Sequence, residues 1–507
     1  MKLKIISRLT FTLLAFSGAL VVGQSTPSSR PRPRHHHYKL VEIGTFGGPN
    51  SVYNVFSRIG TNDGRFVGAA NTADYDRFDP ACFDPGTCLV QHAWEWRHGV
   101  LTDLGVLRHG FSSYTNAINS RGLVVGQSQD GRMDPLTGGP GVYLATVWDQ
   151  DRVIELGTLG GGNSIAIAAT DQNFVMGAAE NGILDHSGIP GFDGVSQIRA
   201  FGWRSGGNIF DLGTLGGEDA FPADMNNLGQ VVGVSTTTLL PNPDGIIPSH
   251  PFLWSKGKMH DLGTLGGNFA GSGAINDQGQ VVGTSTLAGD QVNHPFVWRN
   301  GTMIDLGTLG GSSAFGEWIN ARGDAIGFSN KSGSDILIYA FRYSDGVMTD
   351  LGTVAGDNSS NAFGINAGGT VVGQSWSIDV DTQNISVFHA FVWEPGGQMI
   401  DLNTLVSPPS SLNLFEADFI NDRGEIVAIG VTPSGDLHAA ILIPDEEDKP
   451  DATNLQSVEN NSSVSPMPMT AQTKELLHAR TARYLQRSDQ LRKRGFVSPA
   501  STPYQRR

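Results

Sequence analysis

Residues 261–311 read DLGTLGGNFAGSGAINDQGQVVGTSTLAGDQVNHPFVWRNGTMIDLGTLGG. The stretch begins and ends on the same seven residues, so it spells one full unit of a repeat. Val281-Val282-Gly283 and His294-Pro295-Phe296-Val297-Trp298 carry the β-branched and aromatic residues that favour strands. Asn276-x-x-Gly279 joins an apolar stretch to the Val-Val run. An Asn side chain bonds its own backbone in a turn, and Gly supplies the positive φ of a short hairpin loop. Trp298-Arg299-Asn300-Gly301-Thr302 is a second hairpin signal. The unit therefore holds four short antiparallel strands.

Outward from this unit the pattern recurs eight times. DLGTLGG stands whole at 211, 261 and 305, and weaker anchors begin at 42, 103, 155, 350 and 401. The turn position is Asn119, Asn226, Asn276, Asn320, Asn366 or Asn421, and Thr61 or Thr170 in two degenerate copies. HPFVW recurs as HAWEW (92–96), HPFLW (250–254) and HAFVW (389–393), with weaker forms in the other units. No segment between 38 and 444 shows a sustained helical period.

Four-stranded units of this length, repeated in series, describe an all-β fold, the β-propeller. The phase of the repeat adds a closure. The chain opens on an orphan fourth strand, Tyr38 to Phe46, and ends on three strands, Phe419 to Ile443, that lack a fourth. Pairing the two ends makes an eighth blade and removes two exposed sheet edges. Eight blades are the favoured count, seven the alternative, and an open β-solenoid leaves both ends uncapped.

These repeats resemble the extracellular HAF repeats, named for His-Ala-Phe, of predicted secreted bacterial proteins. The triplet stands as His389-Ala390-Phe391 and is altered to His250-Pro251-Phe252 and His294-Pro295-Phe296. The resemblance covers roughly 38–444. It implies an extracytoplasmic location and no settled activity, so no functional residue is carried over from it.

Composition agrees with a turn-rich repeat: glycine supplies 66 of 507 residues, about twice ordinary usage. The net charge of −15 argues against a nucleic-acid partner. Two cysteines cannot make a disulfide-dense scaffold. Lys2, Lys4 and Arg8 precede the apolar run Leu9–Val22, which reads as a signal peptide over 1–23, with an uncleaved anchor as the alternative. No later stretch is long and apolar enough to span a bilayer. Residues 24–37 read as a Pro/Arg/His linker, 445–470 as a polar linker, 471–496 as a basic helix and 497–507 as a tail. In the helix Leu477, Tyr484 and Leu491 recur every seven residues. From 474 to 507 nine Lys/Arg face two acids, a balance of +7, whereas 40–443 holds 17 Lys/Arg against 41 acids, or −24. The helix is suited to fold back on the acidic propeller or to touch an anionic membrane or wall polymer, and a simply solvated helix is the alternative.

No catalytic constellation stands out. His92, His250, His294, His389 and His438 occupy one strand position in separate blades, where they read as structural core histidines rather than metal ligands. The carboxylates Glu42, Asp103, Glu155, Asp211, Asp261, Asp305, Asp350 and Asp401 recur around the rim, too dispersed for one metal or an acid/base pair, and are expected to bond turn donors. Cys82 and Cys88 lie in an insertion, 71–91, where an exported chain favours a disulfide. Asp74, Asp76, Asp79 and Asp84 in the same insertion are a weak Ca²⁺ candidate, and no other cofactor or metal is expected.

The second-to-third strand loops are long in the first four units: 69–91, 127–143, 178–198 and 234–249. Long loops on a rigid scaffold usually carry function. Tyr75, Phe78, Phe83, Asp84, Tyr143 and Phe192 are the candidate ligand-binding residues. The reading is a secreted, periplasmic or cell-surface binding module for an extracellular glycan or protein. A structural surface protein is the first alternative and a polysaccharide-active enzyme the second.

Overall fold

A computed structural model describes residues 37–445 except 56, 79–81, 83, 85–86, 135–141, 188–194, 244, 246 and 383–384. The leader, most of the first linker, the basic helix and the tail read from the sequence lie outside the described residues. The unit quoted above forms four antiparallel strands: Gly266–Ile275, Val281–Leu287, Asn293–Arg299 and Thr302–Asp305. Six such sheets stand alone, and the seventh sheet is two blades joined by a single parallel bridge, Ser249 to Phe269. There are therefore eight four-stranded blades, which we number from blade 1 (47–103) to blade 8 (413–444 with 38–42). Tyr38–Glu42 pairs antiparallel with Leu437–Pro444, from Tyr38 opposite Pro444 to Glu42 opposite Ala440. The ends of the repeat thus close the ring in the phase read from the sequence, and the open solenoid is excluded.

Each motif has a mechanical job. The anchor Asp accepts from the Gly amide two residues on, as in Asp261 to Gly263 at 2.7 Å and Asp305 to Gly307 at 2.8 Å. The Thr of GTLGG closes its turn on the second following Gly, Thr264 Oγ1 donating to Gly267 O at 2.9 Å. The Leu amide between them donates to a Ser after the Val-Val-Gly run, Leu265 to Ser285 at 2.9 Å. Gly279 holds φ +74°, the turn conformation that disfavours a side chain. Gly283 is needed for another reason: a Cβ there would stand 2.1 Å from the Gly271 carbonyl of the inner strand. The Phe of HxFxW is the apolar payload. Phe252, Phe296, Phe341 and Phe391 are fully buried, each contributing about 2–3 kcal/mol.

The turn Asn does more than hold its own turn. Asn276 Oδ1 accepts from the Gln278 and Gln280 amides, as expected. Its Nδ2 donates across the blade boundary to Asn320 O at 3.0 Å. The link repeats from Asn226 to Asn276, Asn320 to Asn366, Asn366 to Asn421, Asn421 to Thr61 and Asn119 to Thr170. Asparagine is required because the position needs an acceptor and a donor together. Thr61 and Thr170 supply the acceptor, to the Arg65 and Phe174 amides, and the Thr61 hydroxyl donates within its own turn, to Asp63.

Blade 1 departs from the repeat. From Ser51 on its inner strand to the turn residue Thr61 is ten steps along the chain, where blade 2 takes six from Ser113 to Asn119. The four extra residues put Arg58 across the axis of the ring. Its guanidinium makes two bonds to Asp224 of blade 4, at 3.2 and 3.1 Å, and donates to Ile275 O of blade 5 at 3.1 Å.

Candidate binding face

The central channel is the first place to look for chemistry, because inner strands converge there. Several of their residues near the axis are polar. Their polar groups pair with one another. Arg58 holds Asp224, Tyr53 donates to Asp418 at 2.7 Å, and Asn54 donates to Asn116, which donates to Ala166 O. The space left beside Ser57, Trp318, Phe363 and Asp418 is about 30 Å³, enough for about one or two waters. The channel is a plugged axle.

The recurring histidines take up a different position from the one expected. They are not core residues: side chains of His92, His250 and His294 keep 19–24% exposure. Each Nδ1 meets the anchor carboxylate of its own blade, His92 with Asp103 at 2.7 Å, His250 with Asp261 at 2.8 Å and His294 with Asp305 at 2.9 Å. His438 meets Glu42 at 2.5 Å across the ring closure. His389 instead meets Asp357 at 2.9 Å, because Asp401 caps the short 3₁₀ turn Leu402–Leu405. The Asp103 bond raises the His92 pKa, against burial. Burial opposes ionisation of Asp103 and Asp261, but the bonds from histidine and glycine outweigh it and lower both. The His92, His250, His294 and His438 pairs tie the third strand of their blades to the outer strand.

The second-to-third strand loops share one face with the blade linkers. Tyr75, Met133, Ile183, Leu184, Leu239 and Leu240 are 56–77% exposed. They fall in these loops in blades 1, 2, 3 and 4 in turn, an arc over half the ring. In the corresponding loops of blades 5–8, Val380 is the one large apolar side chain exposed among the described residues, at 44%. The large exposed apolar side chains of these loops thus lie mostly on blades 1–4.

The structure separates the six candidate residues. Tyr75 stands at the end of a strand, 77% exposed. Phe78 packs edge-on to Phe111 of the next linker, with the Arg77 guanidinium over both rings. Asp84 is the hub of its own loop, accepting from Asn71 at 3.1 Å and Thr87 at 2.7 Å. Tyr143 is corrected: it begins a third strand, is buried at 8% exposure in the blade 2–4 core, and offers no surface to a ligand. Phe83 and Phe192 lie outside the described residues. The disulfide joins Cys82 to Cys88, with Cα atoms 5.4 Å apart.

Of the four Ca²⁺ candidates, Asp79 lies outside the described residues. Asp76 is buried and accepts from the Phe78 amide. Among the described residues the carboxylates that do converge are Asp185, Glu218 and Asp219, with oxygens within 4.8 Å of one another. They bridge the blade 3 loop to the start of blade 4. Burial pushes the Asp219 carboxyl up to about 7, against bonds from Ser187 and the Ile198 amide. Three carboxylates fall short of the six to eight oxygens that Ca²⁺ takes. The sequence reading missed it because Asp185 and Asp219 belong to different repeats.

No family model matches the chain, and no curated protein does. Solved structures similar to it include a puromycin-hydrolysing peptidase of Mycobacterium tuberculosis, at 12% identity and TM-score 0.39, covering 77% of this chain and 61% of that one. The β-propeller domain of the trilobed protease of Pyrococcus furiosus is similar at 8% identity and TM-score 0.39, covering 65% and 93%. TolB of Acinetobacter baumannii is similar at 12% identity and TM-score 0.32, covering 75% and 80%. The eight-bladed ring rests on its own strand pairing.

Proposed function

We propose that the chain is a secreted or periplasmic binding module of the HAF-repeat kind, which docks an extracellular protein or glycan on the loop face of blades 1–4. The observation that carries this is the apolar arc from Tyr75 to Leu240, confined to one half of one face. Its aliphatic members favour a protein over a glycan, since sugars are met by aromatic faces and fixed polar groups. The apolar run Leu9–Val22 behind Lys2, Lys4 and Arg8, read as a leader, supports an exported site of action. The channel is the weaker candidate, because Arg58, Tyr53 and Asn54 there are held by Asp224, Asp418 and Asn116.

The test is binding of the mature protein to arrays of glycans and of the producing organism's envelope proteins. Tyr75→Ser combined with Leu239→Ser and Leu240→Ser removes binding, while Val100→Ser with Val347→Ser on the opposite face leaves it intact. Equal binding by both variants overturns the proposal.

A further inference from the structure

The turn face, opposite the loops, carries an arrangement that the repeat does not call for. Four residues after the turn Asn stand Gln230, Gln280, Asp324 and Glu425 in blades 4, 5, 6 and 8, each accepting from that Asn. Blade 3 has Thr170 in place of the Asn, so no side-chain amide needs an acceptor, and the position is Phe174. Phe174 lies beside Phe210 and Trp254, with ring centroids 6.3 and 6.0 Å away. The Arg204 guanidinium sits over its ring at 4.7 Å. Gly229 of the blade 4 turn rests against the same ring, where a Cβ would stand 3.4 Å from it. The adjoining Leu228 projects from that turn at 71% exposure, and Phe210 keeps 38%.

Cations flank these two apolar groups. The third-to-fourth strand hairpins of blades 3, 4 and 5, at 204–208, 255–258 and 299–302, hold Arg204, Lys256, Lys258 and Arg299 and no acid. All four are exposed, and among the described residues none forms an ion pair. The same hairpins of blades 2, 6 and 7 carry Asp151, Asp345 and Glu394. In the adjoining turns Asp171 and Asp277 are engaged by the Ser120 and Asn227 amides. A body with 17 Lys/Arg against 41 acids over 40–443 thus gathers four unpaired cations on one sector of one face.

We propose that this sector rests on an anionic phospholipid bilayer, with Leu228 and Phe210 entering the headgroup region and the four cations meeting phosphates. Two features favour a bilayer over a soluble acidic polymer. The turns and hairpins of neighbouring blades end side by side on one face of the ring, which suits an extended flat surface. Leu228 is an aliphatic tip without a polar group, which a bilayer interface takes up and a hydrated polymer does not. A Lys or Arg beside an anionic bilayer strengthens binding about fivefold. The inference goes beyond the loop-face reading and does not depend on it: with the turn face on the bilayer, the loop face of blades 1–4 points to solvent.

The two cysteines of the chain are joined as a disulfide, so one added thiol is labelled selectively. In the full mature chain Leu228→Cys, or Leu240→Cys on the loop face, carries the environment-sensitive dye NBD. Vesicles of phosphatidylglycerol are expected to shift the emission from position 228 to the blue and to shield it from iodide, and to leave position 240 unchanged. Vesicles of phosphatidylcholine alone change neither. Lys256→Gln combined with Lys258→Gln weakens the response at 228 about 25-fold. Salt at about 1 M, which shortens the Debye length to about 3 Å, weakens it as well. The basic stretch 474–507 can also bring the chain to anionic vesicles, so co-sedimentation with position 228 still open to iodide overturns the proposal. Equal responses at 228 and 240, or no loss on neutralising the two lysines, overturn it too. A response at 228 to soluble polygalacturonate and none to vesicles assigns the sector to an acidic glycan instead and removes the bilayer. Loop-face binding is read on other residues, so each of these results leaves that proposal to its own test.

Discussion

Asn276 is the place to test how the blades are locked together. Its side chain is 5% exposed and makes four bonds: Oδ1 accepts from Gln278 and Gln280 amides, and Nδ2 donates to Gln280 Oε1 and to Asn320 O of the next blade. Asn276→Ala removes all four and leaves buried backbone groups unsatisfied, each costing about 1–3 kcal/mol. Part of that is recovered by water at the turn, so a loss of about 3–4 kcal/mol is expected. Asn276→Thr keeps an acceptor for the turn amides, as Thr170 does at 3.1 Å to Phe174, and loses the link to the next blade. Its cost is about 1–2 kcal/mol. Urea denaturation followed by tryptophan fluorescence measures both, the nine tryptophans being spread around the ring. Equal losses for Ala and Thr would mean the cross-blade bond contributes nothing. Losses under about 0.5 kcal/mol for both would refute the belt altogether.

The belt is broken at two natural sites, so Thr170→Asn is expected to raise stability by about 1 kcal/mol, read as a higher urea midpoint; a neutral or lower midpoint contradicts it. Arg58→Met leaves Asp224, only 3% exposed, without its cation, and about 3 kcal/mol of stability is lost. An Arg58→Met and Asp224→Leu double variant recovers most of that if the pair acts as an axle, and none if the bulge itself is the only cause. Stability also depends on pH with a defined sign. His92 and His389 have raised pKa values, so their contribution is full below about 6.5 and is lost as pH rises through the folded values. Asp103 and Asp261 are lowered, so theirs is full above about 4 and is lost in acid. Asp219, raised to about 7, favours the folded state while protonated and penalises it once ionised. All three terms place maximum stability on the mildly acidic side of neutrality. Thermal midpoints that climb steadily from about pH 5.5 to about pH 8 would contradict this assignment.

The ring was legible because its logic is local and repeated. Every DLG, N-x-x-G and HxFxW marks a strand end or a strand, and the orphan strand Tyr38–Glu42 matched the missing partner of Leu437–Pro444. Single positions were less legible, because a motif read along the chain shows half of its contacts. The Asn of N-x-x-G looked like a turn residue, and its donor reaches a carbonyl 44 to 55 residues away, or 360 residues away at the ring closure. The His of HxFxW has the Phe on its face of the strand, yet it sits where the outer strand ends and finds a carboxylate instead of the core. Tyr143 lay in a long loop by counting, but the strand begins one residue earlier than its exposure required. Loop length still pointed to the half-ring where exposed apolar side chains gather. The acidic cluster at Asp219 and the strut at Arg58 carry no periodic signal, since each joins residues of unlike repeats.

Hydrogen exchange on the mature protein, with and without a ligand captured by the array, tests the central claim most directly. Protection concentrated in 69–91, 127–143, 178–198 and 234–249 is the predicted footprint. Protection concentrated instead in the N-x-x-G turns, or along the inner strands around Arg58, would show that the loop face of blades 1–4 is not the binding surface.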